Sequence, residues 1–346
     1  MSRRKQRTST VVGLDLDPSH IAAAEVAENG RLIVKRSAVA PLRSGILRDG
    51  EAADPVALAE ALREFFAEHE LPTRVRLGIA NQRIVVRSLD LPVLTDAAEL
   101  EAAVQREAPD QIPMPMDEAV VDFQEVGTVD TPMGKRTRVL VVAVRREMVE
   151  RLHGACDAAG LHVEGIDLSA FALVRALPRS AGAGATLYVN VAGLVNVAVA
   201  NDAGCLFTRA AAGGLDAIAS TLAARRGLTL EHARQWIDHV GLQTPVDAIE
   251  GDPELVAAVR TALEDGVHQL VDTVRNSLNF YRMQESAESV DYGLVTGPVV
   301  SIPGFVARLA EQLQLPVEPA LLPVADGSDP DGSITVAAGL AVEQRV

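Results

Sequence analysis

Three short segments carry the residue types from which a phosphate-gripping clamp is built. The first is Gly13-Leu14-Asp15-Leu16-Asp17-Pro18-Ser19-His20, an apolar run that breaks into two carboxylates, a proline and a hydroxyl. The second is Tyr188-Val189-Asn190-Val191-Ala192-Gly193-Leu194, and the third is Leu294-Val295-Thr296-Gly297-Pro298-Val299. Two strand-to-turn segments can wrap a phosphate chain with backbone N–H groups. An Asp beside each would hold magnesium, directly or through water. A glycine in the third segment lets backbone lie flat against a nucleoside, where a side chain would block approach and resist positive φ. Order and spacing suggest a two-domain nucleotide clamp. The residue types suggest a clamp that has lost much of its phosphate chemistry.

Other chemistry is thin. The seven histidines form no metal-ligand pattern, and His232 and His239 stand seven apart on one predicted helix, too far to share an ion. Cys156 and Cys205 form no CxxC and read as buried thiols, which fits a reducing cytoplasm. Gly182-Ala183-Gly184 is not a phosphate loop, because no Gly-Lys-Ser/Thr follows. The 346 residues are long enough for two domains with separate cores, and 48% apolar content makes the bulk globular. Aromatic residues are only 3%, so the core must be mostly aliphatic. A net charge of −15 disfavours nucleic acid and anionic membrane as bulk partners. No apolar run approaches the roughly 20 residues of a membrane helix, and the basic start at Arg3, Arg4, Lys5 and Arg7 reads as a flexible tail over residues 1–10.

The elements that would position these segments follow from periodicity and caps. Val11 to Leu16, Ile21 to Val26 and Leu32 to Ala38 read as strands, with a hairpin turn at Glu28-Asn29-Gly30. Asp54-Pro55 opens a helix whose apolar face is Leu58, Leu62, Phe65 and Phe66. Arg74 to Ala80 is the next strand. A strand-helix-strand-strand-helix unit then spans about 82–160, with Asp96 capping a helix that ends where Pro109, Pro113 and Pro115 break the chain. A small-residue linker at 180–184 separates a first domain, 11–180, from a second, 185–342. Thr186 to Val191, Leu194 to Ala200 and Gly204 to Ala210 repeat the three-strand order of the first domain, as a duplicated fold would. Gly213-Gly214 precedes a helix, Leu255 to Tyr281 is a long amphipathic helix, and 316–331 is loop-rich. A last small-residue helix, about 333–342, is a candidate to pack back on the first domain.

Several of these stretches resemble the PilM family, the actin-like cytoplasmic proteins of type IV pilus assembly. They are Leu91-Pro92, Glu99-Leu100, Glu107 and Gln111-Ile112-Pro113 in the inserted unit, then Val141-Val142-Ala143, Ala159-Gly160-Leu161 and Ile166-Asp167. Gly213-Gly214, Arg275-Asn276-Ser277-Leu278-Asn279-Phe280-Tyr281 and Ile302-Pro303-Gly304-Phe305 continue the series in order. The resemblance implies an α/β, actin-like ATPase (ribonuclease H-like) fold of two duplicated domains, with a small α+β subdomain inserted in the first. It implies a cytoplasmic scaffold, recruited to the inner face of the membrane by the N-terminal tail of a PilN-like protein, with other pilus assembly proteins as candidate partners. The groove for that tail lies in the first domain and involves the inserted subdomain; Arg83 to Leu91 and Ala119 to Val126 are the strands to examine first.

The resemblance also implies ATP and magnesium, and it assigns nucleotide-site positions residue by residue. Gly13 and Asp15 stand where the family has them, Asp15 being the metal ligand if magnesium binds. Asp17 stands where Gly is usual, and its carboxylate would repel a triphosphate by about 1–4 kcal/mol at about 4 Å. Pro18 removes a donor, Ser19 keeps a hydroxyl, and Ala22 replaces a frequent Lys. Asn190 replaces Asp, Ala192 replaces Gly ahead of Gly193, and Leu194 and Val195 replace hydroxyl residues. Thr296 and Gly297 precede Pro298 and Val299, which stand in place of two glycines; Gly213 and Gly214 are intact. Together these changes predict weak or absent nucleotide binding and no catalytic residue. The alternatives are an active actin-like ATP-binding protein or ATPase of the same machinery, a type II secretion GspL-like protein, and an FtsA-like protein. The last is disfavoured by a C-terminal sequence without an amphipathic membrane helix.

Overall fold

Two five-stranded sheets with the same connectivity form the frame of the molecule. The computed structural model describes residues 11–28, 32–94, 96–132, 134–178, 184–284 and 287–342. The basic tail, the 29–30 turn and most of the 180–184 linker lie outside the described residues.

In the first lobe, β1 (Val12–Leu16), β2 (His20–Glu28) and β3 (Leu32–Pro41) form an antiparallel meander. A two-strand ribbon, β4 (Leu47–Arg48) and β5 (Glu51–Ala52), leads to α1 (Pro55–Glu68). Asp54 caps α1 by accepting from the Ala57 N–H at 3.0 Å, and Pro55 sits where a missing N–H costs nothing. β6 (Arg74–Ile79) then pairs parallel with β1.

The inserted unit follows as β7 (Val85–Pro92), α2 (Ala97–Gln111), β8 (Ala119–Thr131) and β9 (Gly134–Arg145), with its own sheet ordered β7-β9-β8. Its small core sets Leu100, Ala103 and Val104 of α2 against Leu89, Leu91, Val139 and Val141. Pro109 does not break α2. It sits in the last turn, where its missing N–H forfeits one hydrogen bond, and Ile112 still donates to the Ala108 carbonyl. Next, α3 (Arg146–Ala158) packs on α1 and shares the core of the first sheet rather than that of the inserted sheet. The inserted elements are therefore β7 to β9. β10 (His162–Leu168) completes the first sheet in the order β10-β6-β1-β2-β3, and α4 (Ser169–Ala176) follows.

The second lobe repeats this order. β11 (Ala185–Val191), β12 (Val195–Asn201) and β13 (Gly204–Ala211) form the meander. α5 (Leu215–Arg226), α6 (Leu230–Val240) and the long α7 (Pro253–Arg282) cover its outer face together with α8 (Phe305–Leu313). β14 (Val290–Thr296) pairs parallel with β11, and β15 (Val317–Pro319) with β14. The short β15 lies in the stretch that sequence reads as loop: three residues are too few to show alternation.

α9 (Thr335–Ala341) packs against β1, β2 and α4, with α4 in turn against β11, β12 and β13. One core runs through this layer, from Ala22 and Ala24 through Leu173, Ala337 and Ala338 to Tyr188 and Ala198. Close approach needs small residues. A Cβ on Gly339 would stand 1.9 Å from the Ala172 carbonyl oxygen, and one on Gly13 would stand 1.8 Å from that of Ala337. Arg76 holds the C-terminal end of α9 by donating to the Leu340 and Val342 carbonyls at 2.9 and 2.5 Å, where a cation also suits the helix dipole.

Candidate functional site

Asp17 and His20 close the β1–β2 hairpin by exchanging backbone hydrogen bonds of 3.1 and 3.2 Å across Pro18-Ser19. The matching turn of the second lobe, Ala192-Gly193-Leu194, is closed by the Ala192 N–H donating to the Leu194 carbonyl at 3.0 Å. Duplication brings the two turns face to face.

Asp17 is the contact between them. Within its own turn, its Oδ1 accepts from the Ser19 N–H at 2.9 Å and the Ser19 hydroxyl at 2.5 Å. Across the interface, Oδ1 accepts from the Gly193 N–H at 2.8 Å and Oδ2 from the Leu194 N–H at 3.1 Å. The side chain is 6% exposed. The Ser19 oxygen lies 2.7 Å from His20 Nδ1. Because its one proton goes to Asp17, it accepts from an Nδ1–H, which leaves His20 Nε2 buried with no hydrogen-bond partner among the described residues. Gly193 is required here: a Cβ on it would stand 2.4 Å from Asp17 Oδ1.

The remaining candidates divide between this junction and the packing around it. Asp15 is buried on β1 and accepts from the Ser169 hydroxyl of α4 at 3.2 Å. Its side chain is thus held by α4, not by the hairpin backbone. Burial pushes its pKa up to about 6; the nearby Asp17 adds to the rise, while His20 and the Ser169 hydrogen bond oppose it. Asn190 is buried on β11, and its Oδ1 would stand 2.7 Å from a Cβ placed on Gly297. Gly297 itself holds φ at 95° against the Val191 carbonyl, just before Pro298 opens a 3-10 turn, Pro298–Ser301. The Thr296 hydroxyl lies 2.7 Å from that of Thr335 and 3.4 Å from the Gly332 carbonyl, so this third segment is stitched to the start of α9. Gly13 serves α9 packing. Gly214 lies against the second turn, and the next residue, Leu215, donates to the Ala192 carbonyl at 2.7 Å; Gly213 takes φ 92° in the strand-to-helix turn.

Magnesium and ATP, which the fold implies, do not fit this arrangement. The turn N–H groups that would meet a phosphate already donate to Asp17, and Asn190 offers an amide where a metal would need a charge. Among the described residues, no group of three or more His, Cys, Asp or Glu could hold a metal ion.

A second feature lies beside the inserted sheet. A cleft of about 910 Å³ runs between β7 and β13, and it is also lined from β9, from Pro113 and Met114, and from the end of α7. Both β7 and β13 are edge strands of their sheets, so among the described residues each carries a side without a ladder partner. Phe280 of α7 is 51% exposed at this cleft, with its ring 5.9 Å from that of Phe207 on β13. Arg83, Arg87, Arg138, Arg145 and Arg209 line it, against one carboxylate, Asp90, among the described residues, in a chain of net charge −15. Asp90 is held by Arg138 through two bonds of 2.7 and 2.6 Å, and Arg83 is paired with Glu51 at 3.1 Å. β7 therefore faces the cleft, but the second lobe's β13 forms the other wall, so the cleft does not lie in the first domain alone; β8, the other strand singled out from sequence, lies on the far edge of its sheet and contributes no lining residue.

Duplicated meander sheets, paired hairpin turns at the lobe junction and a helical layer between the sheets define an actin-like two-lobed protein. The chain belongs to the family described as type IV pilus assembly protein PilM, whose model matches residues 13–322. Among solved structures it is similar to the PilM-PilN type IV pilus biogenesis complex, with 23% identity, a TM-score of 0.75, and coverage of 96% of this chain and 97% of that one. It shares its fold with ethanolamine utilization protein EutJ from Carboxydothermus hydrogenoformans (15% identity, TM-score 0.53, 96% and 88% coverage). The same holds for MreB5 of Spiroplasma citri bound to ADP (12% identity, TM-score 0.52, 96% and 95% coverage). Among the described residues, no helix is long and apolar enough to cross a membrane.

Proposed function

We propose that this chain is a cytoplasmic scaffold of type IV pilus biogenesis that holds the N-terminal cytoplasmic tail of a PilN-like inner-membrane protein. Through that tail it is recruited to the inner face of the membrane, where other assembly proteins can meet it. The observation that carries this reading is the cleft between two unpaired strand edges in a member of this family. An extended tail can add to the β7 edge through main-chain hydrogen bonds, while alternate side chains enter the cleft. Phe280 and Phe207 offer apolar surface for them, and the basic rim orients polar groups of the tail.

The test is calorimetric titration of the full chain with a synthetic peptide of the PilN-like tail, in buffer free of nucleotide. Saturable one-to-one binding is the expected result. A peptide methylated on the backbone nitrogens that face β7 is expected to bind at least tenfold more weakly. Absence of binding to protein shown to be folded overturns the proposal.

A further inference from the structure

We propose that the Asp17 carboxylate is this chain's own substitute for a nucleotide phosphate, locking the two lobes together with no ligand. The inference concerns the lobe junction alone and does not depend on which partner occupies the cleft.

The donor set is that of an anion cradle. Three backbone N–H groups and one hydroxyl converge on two oxygens, and two of those N–H groups come from the opposite lobe. Within its own turn only Oδ1 is satisfied, by the Ser19 N–H and hydroxyl. The hydrogen bond on the buried Oδ2 comes from the Leu194 N–H of the other lobe, so the carboxylate and the second turn satisfy each other. Leu194 is buried, and its N–H must find an acceptor or bear the full desolvation penalty of an orphaned donor. In a nucleotide-driven clamp a bound phosphate supplies that acceptor, and lobe closure follows the ligand. Here the acceptor is covalently part of the first lobe, so closure needs no ligand.

The surrounding residues are built for this use. Gly193 leaves room for the carboxylate, which any Cβ would collide with. The chain His20 Nδ1–H to Ser19 Oγ–H to Asp17 Oδ1 aims the carboxylate from behind. A phosphate entering the same cradle would compete for donors already used and would meet a like charge at hydrogen-bond range. Asp17, a residue that repels nucleotide when read alone, makes nucleotide unnecessary when read with its cross-lobe partners.

The experiment uses the full chain and its Asp17→Asn and Asp17→Gly variants, and follows amide hydrogen exchange at Gly193 and Leu194 with and without MgATP or inorganic phosphate. In the wild type both amides are expected to be protected in nucleotide-free buffer, and millimolar MgATP or phosphate leaves their rates unchanged. In Asp17→Asn the amide group turns a donor toward one of the two cross-lobe N–H groups, and exchange there accelerates by about tenfold or more, the size of one lost charge-assisted hydrogen bond. In Asp17→Gly both amides accelerate, and inorganic phosphate restores protection by refilling the cradle. Should Asp17→Gly fail to fold, Asp17→Asn decides alone. The proposal is overturned if the wild-type amides become protected only with MgATP, or if exchange at both positions in Asp17→Asn matches the wild type.

Discussion

The molecule has two meeting places between its parts, and they are finished in opposite ways. At the lobe junction, the turn N–H groups of Gly193 and Leu194 end on Asp17, and Gly193 leaves room for its carboxylate. At the cleft, two strand edges face each other across about 910 Å³, and an aromatic ring stands half in solvent. Polar groups that a protein satisfies by itself make structure, whereas edges and rings it leaves uncovered are available to a partner. In an ordinary nucleotide clamp the lobe junction would be the open place. Here the openness lies beside the inserted sheet.

The largest test asks whether the junction and the cleft depend on the same helical layer. Gly339→Ala forces a Cβ to within 1.9 Å of the Ala172 carbonyl, so α9 and α4 must part. We expect a loss of about 3 kcal/mol or more, as for severe overpacking, which lowers the thermal midpoint by about 5–10 °C. Loss of cleft binding in parallel would show that both places rest on the layer. An unchanged midpoint would show that the α4–α9 contact contributes little.

The next test probes the junction alone. Asp15 has its pKa raised from 3.8 to about 6 by burial, so the folded chain binds the extra proton between those values. Its contribution to stability is fully present below about pH 4 and is lost as pH rises through about 6. Near pH 7 the buried charge costs on the order of 3 kcal/mol relative to the neutral acid. Asp15→Asn should therefore be more stable than wild type near neutral pH, with the difference vanishing in acid. Chemical denaturation across pH measures this, and a difference that does not vary with pH would refute it. His20 opposes the rise of this carboxyl, so His20→Gln in a chain that keeps Asp15 should move the midpoint to higher pH; an unmoved midpoint would leave burial as its cause.

A smaller effect belongs to the cleft. Phe280→Ala removes a half-exposed ring and should leave the midpoint unchanged while weakening tail binding about tenfold, within the range of an aromatic anchor. Equal affinity would move the tail elsewhere on the surface. The smallest effect is on reactivity. Burial pushes Cys156 and Cys205 up to about 12, so both thiols should alkylate only when the surrounding structure opens. Cys205 is buried on β13, whose next residues, Leu206 to Ala210, line the cleft, and Cys156 lies on α3 in the first lobe. Tail peptide should slow labelling of Cys205 and leave Cys156 unaffected; slowing of both would indicate global stabilisation instead.

The sequence alone determined the elements with strong local signals. Asp54-Pro55 and Asp96 cap α1 and α2 by local hydrogen bonds, and the apolar runs at Val12–Leu16 and Ala185–Val191 become fully buried central strands. The repeated three-strand order was legible because hairpins and turns are short-range, and the duplicated fold followed from it. Pro109 misled because proline in the last helical turn forfeits little, a matter of position in the turn. β15 escaped notice because three residues carry no period. What only the tertiary structure decided was where side chains point. Asp17 reads as an anion aimed at a ligand until the second lobe, 176 and 177 residues away in sequence, delivers two N–H groups to it. Ser169 as the partner of Asp15, Arg76 at the end of α9 and the facing of β7 with β13 were hidden for the same reason. Hydrogen bonds within a turn are written in adjacent residues, whereas a contact between lobes depends on how two sheets are set against each other by a shared core.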